Sequence, residues 1–261
     1  MTVNNIATNQ MSQTMIQMST GQRINSAADD AAGLAISERM TAQIRGNEQG
    51  TRNVADMQSL VNTAEGGLST ISESLLRIRD LNMQASNGIL TDSDRQNIQM
   101  EVDQLVSEID AIASRTQFNG MNLLDGSFSA QDGRGLHVAA DASGLGPTVN
   151  IGNMSSSMIL GPDPINVTDG SFDMQRIDEA LSRVSNERSY LGAMSNRFDT
   201  TIANNQITNL NMAAARSNIA DQDMAAGATQ LAQQSIMEQV QMMMERQQQE
   251  QSGVQVASII G

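Results

Sequence analysis

The chain has 261 residues, a net charge of −14 and 2% aromatic residues, so its apolar packing must come from Leu, Ile, Val, Ala and 19 Met. All 15 basic residues are Arg and Cys is absent. That excludes a phosphate-loop lysine, Schiff-base chemistry, thiolate catalysis, disulfides and thiolate metal sites. The acidic excess argues against nucleic acid as a partner, because phosphate backbones are held by clustered cations.

Residues 1–22 hold no charged side chain and no h-region. Any route out of the cell is therefore expected to read no cleavable signal peptide. No apolar run reaches membrane-spanning length, so no membrane partner is expected. The stretch RINSAADDAAGLAIS, residues 23–37, reads as a helix start. Asn25 and Ser26 suit a turn or cap, and Asp29 and Asp30 suit the first turn, where the helix dipole favours carboxylates. The small residues that follow suit a tightly docked junction.

From about Asp30 to Asn87 the pattern predicts one helix, roughly 85 Å long at 1.5 Å per residue. Met57, Val61, Ala64, Leu68, Ile71, Leu75 and Ile78 alternate in spacings of four and three, a heptad seam. Asn87-Gly88 reads as its C-cap. Thr91 to Ser93 offer N-cap oxygens to a second helix, with Asp92 and Asp94 in its first turn. That helix carries its own seam, Ile98, Val102, Leu105, Ile109 and Ile112, and ends near Arg115. Short connections predict antiparallel neighbours.

Residues 125–170 hold all three prolines and are rich in Gly, Ser and Asp. Leu136–Val138 and Val149–Ile151 read there as short strands. His137, the single His, reads as a surface residue, and Asn153-Met154-Ser155 and Asn166-Val167-Thr168 match the glycosylation pattern by chance as readily as by function. Beyond residue 170 the chain is helical again, with a looser seam through Ile177, Leu181, Val184, Leu191, Phe198 and Ile202. The final stretch, 218–261, is dominated by Gln, Met and small apolar residues. Such helices are marginal alone in water and suit burial against copies of the same chain. The Met run 242–244 reads as adaptable packing rather than a metal site. No acid–base constellation appears, and neither an enzyme nor a cofactor is expected.

Four stretches together resemble bacterial flagellin: STGQRINSAADDAAGLAISERMTAQIRG, EGGLSTISESLLRIRDLNMQASNG, RTQFNGMNLLDG and NRFDTTIANNQITNLNMAAARSNIADQDMA. The resemblance covers about residues 15–124 and 171–261. It implies a mainly α fold, a long antiparallel helical rod with a small β-hairpin region. Residues 1–28 and 218–261 would form an inner domain of terminal helices, residues 29–124 and 171–217 the rod, and 125–170 its short hairpin segment. The stretch holding Arg23, Asn25, Asp29 and Asp30 is similar to the family's spoke between inner domain and rod. About a dozen further residues usually precede the point where this chain begins.

The implied role is a self-assembling filament subunit for motility, secreted to an extracellular flagellum. Homopolymer contacts, an export chaperone and junction and cap proteins are the implied partners. A hook–filament junction protein and a secreted ligand of a host Toll-like receptor are the alternatives. For the latter, Arg77, Leu81 and Glu101 match the family's receptor-binding positions, with an exposed Arg beside an apolar residue as the hot spot.

Overall fold

The computed structural model describes residues 2–129, 134–168 and 173–260. The middle-segment expectations at 130–133 and 169–172 lie outside these. The element order is α1 (Thr2–Thr20), α2 (Ala27–Ala85), α3 (Asp92–Arg115), β1 (Gln117–Phe118), β2 (Met121–Asn122), β3 (Leu136–His137), β4 (Thr148–Val149), α4 (Ser156–Ile159), α5 (Met174–Ala220) and α6 (Met224–Ile260). The fold is mainly α, with two two-stranded antiparallel sheets among the described residues, β1-β2 and β3-β4. The chain divides into two compact units, one of residues 1–44 and 210–261, the other of residues 45–209.

In the unit 45–209 the seam of α2 forms the core. Val61, Ala64, Leu68, Ile71, Leu75 and Ile78 are all fully buried, and Met57 is only half-buried beside a buried Val54 and Leu60. The partners are α3 and α5. Polar contacts between α2 and α5 fall at Asn47–Asn209, Thr51–Asn205, Gln58–Asp199, Glu65–Arg188 and Arg79–Asp178. Numbers rise on one helix as they fall on the other, so the pair is antiparallel with one constant register. The turn at 86–91 likewise sends α3 back along α2, and Arg77 meets Glu101. The α3 seam buries Ile98, Val102 and Ile109, with Leu105 and Ile112 at its margin; α5 adds Ile177, Val184, Leu191 and Phe198.

Local signals explain most boundaries. Thr91 and Asp94 form a capping box at the start of α3: the Asp94 amide donates to Thr91 Oγ1, and Thr91 N–H donates to the Asp94 carboxylate. Those contacts, Thr91's hydroxyl first, hold the Asp94 carboxyl below its ordinary value of 3.8. The expected glycine C-cap of α2 is corrected. The helix stops at Ala85, and Gly88 is not among the residues with positive φ. The β1-β2 hairpin turns on Asn119 (φ 49°) and Gly120 (φ 77°), the left-handed pair that a two-residue turn requires.

The loop after β3 is laid against α2 and α5. Asn53 and Asn205 donate to the carbonyls of Ala139 and Ala140, and Asn47 accepts from the Ala142 amide. A side chain at Gly50 would collide with the Ala140 carbonyl, so this close approach needs glycine.

Candidate assembly surface and junction

In the unit 1–44 with 210–261, the junction is a crossing of two strands of chain. Gly21 (φ 70°) turns the chain out of α1. Gln22 then forms an antiparallel bridge with Asp221. Arg23 donates its amide to the Ala220 carbonyl at 2.7 Å and its guanidinium to the Ile219 carbonyl at 2.6 Å. Ile24 is 2% exposed beneath this crossing.

The roles expected of Asn25, Ser26 and the two aspartates are redistributed. Asn25 and Ser26 do not cap the helix. Their amides, with the Ser26 hydroxyl, donate to one oxygen of Asp29. These bonds, the Asn25 amide first, hold the Asp29 carboxyl below 3.8. Asp30 is the residue that caps: its backbone is extended inside α2 (φ −163°, ψ 97°), and its carboxylate accepts from the Gly33 amide at 2.8 Å. A side chain at Gly33 would press on Ile24 and Asp30, so the close approach within the small-residue run needs glycine there. Across the junction, Asp223 caps α6 by accepting from Ala225 and Ala226.

The helix pair beyond this junction buries polar side chains among its apolar ones and leaves a row of apolar side chains outside. α1 packs against α6. Thr14 is 3% exposed, and the Oε1 atoms of Gln234 and Gln241 are buried. Ile236, Met237, Val240, Met243 and Met244 are each at least half exposed, as are Met15 and Ile16 of α1. Their spacing on α6 puts them on one stripe. A soluble helix pair turns such a stripe inward. Each such side chain, once covered, contributes about 1.5–3 kcal/mol, so the stripe marks an interaction surface.

The three receptor-site candidates are only partly brought together. Arg77 donates to Glu101 at 2.6 Å, both side chains remaining about half exposed. Leu81, one turn from Arg77, is 2% exposed. Leu60, Gly67, Ser74 and Leu81 recur every seven residues as a second packed line on α2, and a Cβ on Gly67 would lie 2.6 Å from Thr116 at the end of α3. One seam cannot serve two neighbours, and the sequence reading assigned only one. Exposed apolar residues near this end include Leu76, Met83, Ile89 and Met100.

Among the described residues no group of three or more His, Asp or Glu could hold a metal ion, and no helix is long and apolar enough to cross a membrane. Seam-packed helices, a reciprocal junction and an outward apolar stripe define a structural subunit with an exposed interaction surface.

The comparisons agree. The bacterial flagellin N-terminal helical region matches residues 1–129, and the C-terminal helical region matches residues 174–256. The flagellin of Halalkalibacterium halodurans is 42% identical, covering 82% of this chain and 78% of its own. The flagellar filament core protein flaB2 of Brachyspira hyodysenteriae is 39% identical, covering 90% and 87%. A crystal structure of Bacillus cereus flagellin, 31% identical, superposes with a TM-score of 0.50 over 59% of this chain and 88% of its own. A putative flagellar hook-associated protein from Vibrio parahaemolyticus, 19% identical with a TM-score of 0.58, covers 74% and 100% and shares the fold alone. The chain belongs to the bacterial flagellin family, and it is a structural subunit of a flagellar filament.

Proposed function

We propose that the outward stripe of α6 and the exposed side of α1 are the surfaces through which copies of this chain join in an extracellular filament that serves motility. The observation that carries this reading is the exposed apolar stripe of α6, with Gln and Thr buried inside the α1–α6 pair. Ordering a terminal segment costs roughly 1–2 kcal/mol per residue in backbone entropy. With Gln and Thr inside the pair, burial between copies is the term that offsets it. The terminal segments therefore become stably helical on assembly. Before assembly the same stripe suits an export chaperone, and at the filament's ends it suits junction and cap proteins. Deleting residues 223–261 is expected to leave a soluble helical protein that does not polymerise. Long filaments from that truncated chain would overturn the reading.

A host Toll-like receptor is a second proposed partner, of the monomer. Supporting it is the exposed Arg77–Glu101 pair, two residues far apart in sequence that offer a planar guanidinium at one edge. Leu81 supports that edge from beneath rather than contacting the receptor.

A further inference from the structure

The loop after β3 and one face of α5 enclose an open cleft of about 400 Å³. Its walls are preformed. The loop is tied to α5 by Asn205, which donates to the Ala140 carbonyl at 2.7 Å. It is tied within itself by Asp141, whose carboxylate accepts from the Ser143 and Leu145 amides. On the α5 side, Arg197, Thr201 and Asn204 line the cleft one turn apart. Opposite them stand Leu145, which is 67% exposed, and Pro147.

Two of these polar groups are uncommitted. Arg197 is exposed and makes no ion pair among the described residues, and Asn204 is exposed with no hydrogen bond among them. Arg77, Arg79, Arg176 and Arg188 of the same unit are each paired with a carboxylate, whereas Arg197, like Arg45, Arg52, Arg95, Arg115, Arg134 and Arg183, is in no ion pair among the described residues. A guanidinium left open beside an apolar side chain fits a carboxylate carried on an apolar surface. The chain itself supplies that chemistry in excess, with 29 acidic residues against 15 basic ones.

We propose that this cleft is a contact between copies: it receives a carboxylate-bearing segment of a second copy of this chain, with Arg197 and Asn204 holding the carboxylate and Leu145 covering the apolar part beside it. The proposal rests on the filament reading and adds a second contact, away from the terminal helices. Because a planar fork is needed, lysine replaces arginine there poorly.

The test is polymerisation of the full chain, read as the critical concentration for filament growth, with the melting temperature of the monomer measured alongside. Arg197→Glu and Leu145→Asp are each expected to raise the critical concentration tenfold or more and to leave the melting temperature within about 2 °C, since both side chains are exposed. Arg197→Lys is expected to fall between wild type and Arg197→Glu. Arg115→Glu, an exposed charge reversal outside the cleft, is expected to have little effect. Wild-type critical concentrations for both cleft variants would overturn the proposal while leaving the filament reading intact. So would an equal effect from Arg115→Glu, which would mean that net charge alone is responsible. A wild-type chain that never polymerises would instead overturn the filament reading itself.

Discussion

Leu68 sits mid-seam in α2 and is fully buried among the apolar residues of the unit 45–209. Truncating it to Ala removes three carbons from a site whose walls are three helices fixed by their own seams, so collapse around the gap is limited. Loss of transfer energy plus the residual cavity costs about 2–5 kcal/mol for such a change. For a unit of this size each kcal/mol lowers the melting temperature by about 2–4 °C, so Leu68→Ala is expected to lower the melt by about 4–20 °C. Leu68→Asp, which also buries an unpaired carboxylate, is expected to lower it further. The assay is loss of helical circular dichroism on heating. The control is Leu76→Ala, the same change about two turns along the same helix at a residue that is half exposed; its expected effect is within about 0.5 kcal/mol. If Leu68→Ala and Leu76→Ala melt together, the seam assigned to α2 is wrong.

Asn82 continues the seam after Leu75 and Ile78, is fully buried, and neither of its amide atoms has a hydrogen-bond partner among the described residues. A buried unpaired amide costs about 1–3 kcal/mol, so Asn82→Leu is expected to raise the melting temperature, and a fall would reveal a polar partner at that position. The capping box predicts a pH dependence. Asp94 has a folded pKa below 3.8, so its stabilisation is complete above that value and is lost as pH falls through the folded pKa. Asp94→Asn should flatten that part of the melting-temperature profile, and an unchanged profile would place the acid sensitivity elsewhere. Arg77→Ala is expected to weaken binding of the monomer to the receptor ectodomain by about 1–3 kcal/mol, roughly 5- to 150-fold, with little effect on the melt because its ion pair is half exposed. Equal affinity for wild type and variant would refute that site.

The elements whose causes are local were legible in the chain. Heptad spacing placed the seams of α2, α3 and α5, and Thr91 to Asp94 announced the cap of α3, because periodicity and capping act within a few residues. The Asn119-Gly120 pair carried an equally local hairpin signal that went unread as such, within RTQFNGMNLLDG. Other features depended on what each element meets. Periodicity identifies an apolar face but not how many neighbours it serves, so Leu81 looked available until α2 was seen to pack on two sides. The asparagines at 47, 53 and 205 are ordinary helix-surface residues until a loop some ninety residues from the first of them brings carbonyls and an amide within reach. The division of labour between Asp29 and Asp30 turns on a single extended residue, which composition does not specify. The placing of the faces of α1 and α6 is the clearest case. Their sequences show only that both are weakly charged, and which of their residues face inward was decided by how the two helices pack, since a helix with apolar and amide residues on several sides takes its inside from its partner.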